Sequence, residues 1–134
     1  LSGLPVELLR EIQTLLPYAS HFALRITCRD LYSKISRPSH SYSMVDLLAI
    51  ETWPQYNHAM QRPAHLKQPI AGLDFFSCSR CLRIRSACYF SNAMMKGKRG
   101  KSAPPRAKQG RICIQCGMAS GQYHKGVSMM HGGA

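Results

Sequence analysis

The sequence predicts a mainly α-helical protein with a small, cysteine-stapled β region toward its C-terminal end, and three observations carry that expectation. Apolar residues recur at three- and four-residue steps between Leu4 and Ile35, the period of a helix face. Two Cys-x-x-Cys pairs, Cys78/Cys81 and Cys113/Cys116, mark the second half. Charge divides the chain at the same place: residues 1–77 hold seven Lys/Arg and all six Asp/Glu, a net +1, whereas residues 78–134 hold eleven Lys/Arg and no acid, a net +11. A near-neutral folded part is therefore expected to precede a basic part able to meet nucleic acid or an acidic protein surface.

Leu4, Leu8, Leu9, Ile12, Leu15 and Leu16 lie along one stripe of a first helix. Pro5 fits its first turn, where a missing N–H loses no intrahelical bond. Glu7 and, more weakly, Glu11 complement the positive end of the helix dipole, and Pro17 stops the helix. The next run, Phe22, Leu24, Ile26, Cys28, Leu31, Tyr32 and Ile35, is expected to form one short helix and then a longer one, with Cys28 buried. Helices this short are marginal alone, and a stretch of about 35 residues cannot bury so much apolar surface internally. A partner surface, or a later segment of the chain, must cover the remainder.

The string Leu4-Pro5-x-Glu7-Leu8-Leu9-x-x-Ile12-x-x-x-Leu16-Pro17, followed by Leu24-Arg25-Ile26-x-Cys28-Arg29, resembles the F-box. This is a three-helix motif that docks receptors onto the Skp-type adaptor of cullin-RING ubiquitin ligases. His21 stands where that family commonly has leucine, and Leu31-Tyr32 replaces a frequent tryptophan. The resemblance implies that Leu4, Pro5, Leu8, Ile12, Leu16 and Pro17 contribute to an adaptor-facing surface. It covers about a quarter of the chain. Residues 1–36 are accordingly expected to be an F-box-like motif.

Residues 36–43, rich in serine with Pro38 and His40, are expected to connect the motif to a bridging segment. Ser43 and Asp46 are spaced as a capping box ahead of Met44, Val45, Leu47, Leu48 and Ile50, which predicts a bridging helix. Trp53 is expected to anchor a core. Pro63 and Pro69 predict an extended link from Gln61 to Gly72, so residues 37–72 form a bridge of one helix and a linker.

Residues 73–127 are expected to be a zinc-ribbon-like segment. A Cys-x-x-Cys turn aims two thiolates at one point, and two such turns make a tetrahedral cage suited to one structural Zn²⁺ held by Cys78, Cys81, Cys113 and Cys116. Closing the 31-residue interval between the pairs costs about 3 kcal/mol plus a constant, against roughly 10–16 kcal/mol of apparent zinc binding. Strand is expected around Leu82, Ile84 and Tyr89-Phe90. Gly117, after the last cysteine, is expected to turn with positive φ, and Tyr123 and Gly126 to continue a hairpin. Cys88 is expected to be a buried small apolar group or a substitute ligand, and His124 a surface residue. Residues 91–110 carry Lys96, Lys98, Arg99, Lys101, Arg106 and Lys108 among glycines and prolines, with no apolar pattern to offset the entropy of ordering. A disordered basic loop is expected there, and a frayed tail over residues 128–134.

A closed four-thiolate shell leaves no open coordination position, no Asp or Glu occurs after Asp74, and the sequence contains no phosphate loop or nucleophile elbow. No catalysis is expected. No signal segment opens the chain and no apolar run approaches the roughly 20 residues needed to span a bilayer; a soluble protein of a reducing compartment, cytoplasm and/or nucleus, is expected. The chain resembles short fungal F-box proteins in which paired cysteines come after the F-box. By that resemblance it is a substrate-receptor subunit of a cullin-RING (SCF-type) ubiquitin ligase, binding the Skp-type adaptor through its first helices and an unspecified protein target beyond them. The alternative is a nucleic-acid-binding zinc-ribbon protein whose helical half only packs: lysine and arginine without interleaved aromatics can hold phosphates but cannot read sequence.

Overall fold

The computed structural model describes residues 3–37 and 42–132. Two compact units divide the chain, Leu1–Tyr42 and Ser43–Ala134.

The first unit holds α1 (Val6–Leu15), α2 (Tyr18–Arg25) and α3 (Arg29–Lys34). Prolines occupy the first two helix entrances: Pro5 caps α1 and Pro17 caps α2, both with extended ψ. Pro5 thus stands just ahead of the first turn. Leu9 of α1, Leu31 of α3 and Ile35 form the core, with Leu4 and Leu24 packed against it. The second helical run departs from expectation in order, because eight residues of α2 precede only six of α3. Cys28 makes the break: it caps α3 in extended conformation, and in that position it is exposed rather than buried.

His21 occupies a core position because the chain after α3 returns to satisfy it. Its Nε2 donates to the Ser36 carbonyl at 3.1 Å, Arg25 Nε donates to the Ile35 carbonyl at 3.2 Å, and the Ser36 hydroxyl donates to Gln13 Oε1 at 3.0 Å. Three polar side chains from α1 and α2 thereby hold the chain leaving α3, where an aliphatic core would have used packing alone. Pro38 and His40 of the expected connector lie outside the described residues.

The second unit opens on α4 (Met44–Ile50), whose N-terminal turn is tied by the Ser43 N–H donating to the Asp46 carboxylate at 2.8 Å. Met44, Leu47, Leu48 and Ile50 are buried. Two antiparallel strands come next, β1 (Phe75–Cys78) and β2 (Arg83–Ser86), with Phe76 opposite Arg85 and Cys78 opposite Arg83. Ser77 of β1 joins this hairpin to α4, its hydroxyl donating to the Leu47 carbonyl at 3.2 Å. The core comprises Phe76, Cys78, Ala87, Phe90, Met94, Met95, Ile112 and Cys113. Trp53 is half-buried, stacked on Tyr56 at 6.4 Å, and is no member of that core.

Residues 61–72 are not an extended link. Short 3-10 turns at His58–Gln61 and Ala64–Leu66 fold the segment back, and Asp74 holds it folded. Asp74 accepts the Ala59 N–H at 2.9 Å, the Ile70 N–H at 2.9 Å and Arg62 at 2.8 Å. Arg62 in turn donates to the carbonyls of Leu66 and Gln68. Pro63 caps the second of these turns, its carbonyl accepting the Leu66 N–H at 2.9 Å.

Residues 91–110 likewise depart from the expected disordered loop. They contain α5 (Asn92–Met95), a 3-10 turn at Gly97–Arg99 and α6 (Pro105–Lys108). Met94 and Met95 enter the core. The Lys101 ammonium donates to the carbonyls of Glu51 and Tyr56 at 2.9 and 2.6 Å, and Arg111 donates twice to the Arg99 carbonyl at 3.1 and 2.8 Å. Cation–carbonyl bonds and two methionines do the ordering that an apolar pattern would have announced. The tail is not frayed as far as Gly132: His131 bridges Ser91, and the Asn92 N–H donates to the Met130 carbonyl at 2.8 Å. Gly133 and Ala134 lie outside the described residues.

The buried charges make two changes measurable. Arg111→Ala strands the Glu51 carboxylate, which is fully buried 2.7 Å from its partner, and should cost ~3–5 kcal/mol of stability; urea denaturation monitored through Trp53 fluorescence measures it. Burial raises the Asp74 pKa, but Arg62 and the Ile70 and Ala59 N–H groups outweigh it and hold the carboxyl below the ordinary 3.8. A folded-state pKa that is lowered gives stability fully present above the ordinary value and lost as pH falls through the folded one. The destabilisation by Asp74→Asn should therefore be largest at neutral pH and shrink below about pH 4, as read from thermal melts across the acid range.

Candidate metal centre and adjoining surfaces

The first thiol pair sits at the turn of the β1–β2 hairpin. Cys78 ends β1, Cys81 lies in the turn, and the Leu82 N–H donates back to the Cys78 carbonyl at 3.0 Å. Leu82 takes a positive φ of 52°, which closes this tight turn. The second pair stands on α7 (Ile114–Ala119): Cys113 is its N-cap and Cys116 lies in its first turns. One knuckle is a hairpin and the other a helix start, so the expected second hairpin through Tyr123 and Gly126 does not form.

Gly117 accordingly serves another purpose than a left-handed turn. It lies within α7 and has no positive φ. A Cβ there would run into the Tyr123 ring, which packs over the helix where a side chain would stand. Tyr123 donates its N–H to the Gly117 carbonyl at 2.9 Å. The glycine lets an aromatic ring close over the cysteine-bearing helix.

The four Sγ atoms of Cys78, Cys81, Cys113 and Cys116 all lie within 4.8 Å of one another. Cys78 and Cys113 are buried, while Cys81 and Cys116 are half-buried. The Cys113 N–H donates to Cys78 Sγ at 3.3 Å, a bond that favours thiolate. Knuckle is fixed to knuckle through Arg111, whose carbonyl accepts both the N–H and the hydroxyl of Ser79 at 2.9 and 2.8 Å.

Electrostatics within the cluster asks for a cation. Burial opposes ionisation of Cys78, but N–H groups of Cys81, Cys113 and Arg80 overcome it and bring its thiol down to about 7. Burial and the neighbouring Cys78 raise Cys81. Burial, then hydrogen bonds with the Cys113, Cys78 and Cys81 sulfurs, push Cys116 up to about 12. The first negative charge thus makes the rest costly, and a bound cation removes that penalty. The donor set fits a metal ion.

Other candidates fall away from this centre. His124 is exposed, as expected, and Cys88 is exposed rather than buried; neither belongs to the cluster. Among the described residues no other group of three or more His, Cys, Asp or Glu side chains converges.

The six basic residues of 91–110 do not share one surface. Lys96, Lys98, Arg99 and Arg106 are exposed, Lys101 turns inward, and Lys108 is buried. The cation that sequence reasoning passed over is Arg111, which is wholly buried; its position beside Cys113 was the available signal.

In the first unit the six expected adaptor-facing residues divide. Pro5 and Pro17 are exposed and Leu8 is 46% exposed, whereas Ile12 and Leu16 are half-buried and Leu4 leans on the core. Leu15 was not among the six, yet it is 83% exposed. Leu8, Ile12 and Leu15 keep an i, i+4, i+7 spacing and so share a helix face beside the buried Leu9 and Gln13. Ile26 and Tyr32 add further exposed apolar surface.

Three short helices with an exposed leucine face define the first unit, and four convergent cysteines that could hold a metal ion define the second. The F-box domain family model matches residues 1–40, so the chain carries an F-box at its N-terminus. F-box domains in general bind Skp-type adaptors and serve substrate receptors of SCF-type ligases. No curated protein and no solved structure matches the chain. No helix among the described residues is long and apolar enough to cross a membrane.

Cys113→Ser removes a buried donor from the centre. Titration with Co²⁺, whose thiolate absorption reports coordination, should saturate at about one equivalent for the native chain and show no comparable signal for the variant. Affinity should weaken as pH is lowered, since protons compete for the same sulfurs.

Proposed function

We propose that the chain is a substrate-receptor subunit of an SCF-type ubiquitin ligase. It binds the Skp-type adaptor through its first helices and carries a target-binding module in residues 43–132. The observation that carries this reading is the F-box match over residues 1–40, supported by the apolar side chains of α1 that the unit leaves uncovered. Burying a leucine is worth about 1.5–3 kcal/mol, so Leu8 and Leu15 together offer an adaptor enough apolar area to matter.

The receptor does no chemistry itself. Held on the adaptor, it brings its target close to the ubiquitin-charged enzyme and raises the effective concentration of the two. The metal at Cys78, Cys81, Cys113 and Cys116 is Zn²⁺, supported by the all-thiolate donor set, and it supplies a structural cross-link between the hairpin and α7. A reducing compartment, cytoplasm or nucleus, goes with this reading because thiols held for a metal must stay reduced.

The test is adaptor binding by the purified full chain. The native chain should bind a Skp-type adaptor, and Leu8→Asp with Leu15→Asp should weaken that binding about a hundredfold or more with helix content retained by circular dichroism. A native chain that does not bind the adaptor, or a double variant that binds as well, overturns the proposal. Metal analysis of the same preparation should find about one zinc per chain.

A further inference from the structure

A cleft of about 920 Å³ opens in the second unit between the folded segment after α4 and the turn after α5. That volume lies at the upper end of ligand sites. Its walls combine two chemistries. Apolar side chains come from Ala59, Met60, Ala64 and Met95, and positive charge from Lys67, Lys96 and Lys101. Met60 is 70% exposed although it stands in a folded turn.

The acid in the lining has its charge engaged. Asp74 is 1% exposed, ion-paired to Arg62 at 2.8 Å, and accepts two backbone N–H groups. Glu51, beneath Lys101, pairs with Arg111 at 2.7 Å. Lys101 is held in the wall by two carbonyls and lies 5.0 Å from the Phe76 ring centre. Burial pushes its pKa down to about 8, so an anion arriving beside it would relieve a buried positive charge.

We propose that this cleft binds an extended, acidic peptide segment of the target protein, its carboxylates facing Lys67, Lys96 and Lys101 and an apolar side chain resting on Met60. This rests on the receptor reading and specifies what the receptor takes. Concavity and chemistry favour peptide over nucleic acid. Among the described lining residues His65 is the single aromatic ring and no Phe, Tyr or Trp offers a stacking platform for successive bases, and Lys101 is recessed rather than set in an exposed row along a phosphate backbone.

The experiment uses the full, metal-loaded chain and a fluorescein-labelled peptide of alternating glutamate and leucine, with the glutamine–leucine peptide as control and unlabelled duplex DNA as competitor. Fluorescence anisotropy should show saturable binding of the glutamate peptide and weaker binding of the glutamine one. Lys67→Glu with Lys96→Glu should weaken it by about tenfold or more. Arg83→Glu with Arg106→Glu, exposed positions outside the lining, should weaken it by less than about threefold for the same change in net charge. Met60→Ser should lose about threefold through the apolar contact alone. Thermal melts check each variant, and Lys67→Gln with Lys96→Gln replaces the glutamate pair if that pair does not fold.

Equal losses in the two charge-reversal pairs, absence of saturable binding, or duplex DNA that binds more tightly and through the same lysines, each overturns the inference. Adaptor binding is measured alongside. A chain that binds adaptor but not peptide overturns this inference alone, and one that binds peptide through the cleft lysines but not adaptor overturns the receptor reading alone.

Discussion

The second unit depends on the buried pair of Glu51 and Arg111. Both side chains are fully excluded from solvent at a separation of 2.7 Å, and each does more than neutralise the other. Glu51 also accepts the Ser77 N–H of β1 at 2.8 Å, tying α4 to the hairpin. Arg111 holds the Arg99 carbonyl with its guanidinium and the Ser79 N–H and hydroxyl with its own carbonyl. Two residues onward, Cys113 donates to Cys78 Sγ. One ion pair therefore joins the helix, the hairpin, the basic segment and the four-cysteine cluster. A pair so placed is costly to desolvate and costlier to break, and the backbone groups of Ser77 and Arg99 are bonded directly to it.

That arrangement changes how the strong positive charge is understood. A count of lysines and arginines describes a cationic surface, but the fold places part of that charge inside. Arg111 and Lys108 are buried, and Lys101 is held by two carbonyls. Desolvation lowers the pKa values of Lys101 and Lys108. Their positive charge is partly balanced by Glu51, whose field both lysines feel. Lysine stems also cover apolar area, so inward-turned cations contribute packing as well as charge. The two units thus use different means: leucines and three polar ties in the first, cysteines and buried ions in the second.

Legibility in the sequence tracked the range of each interaction. The helices of the first unit could be read because their signals lie three and four residues apart, with proline at the entrances of α1 and α2. The Ser43–Asp46 tie at the start of α4 could be read for the same reason. Each thiol pair was visible because its members are three positions apart, and their convergence came from ligand chemistry. The Asp74–Arg62 knot was not visible, since neither residue has a local pattern pointing at the other across twelve positions. Nor was the ordering of residues 91–110, where methionine burial and cation–carbonyl bonds replace periodicity. Gly117 stood out for the wrong reason: its role is room for Tyr123, a contact that no turn rule encodes.

By itself, then, the sequence determined the helical character of the first unit, the F-box pattern, the two cysteine pairs able to converge on a metal ion and the imbalance of charge, because all of these reside in residue type and short spacing. Only the tertiary structure decided which leucines of α1 remain uncovered, that the second thiol pair rides on a helix, which cations turn inward, and that a cleft opens beside Asp74 and Lys101. Those outcomes depend on side chains far apart in sequence competing for the same buried space and the same few acceptors. That competition is settled only when the chain is packed.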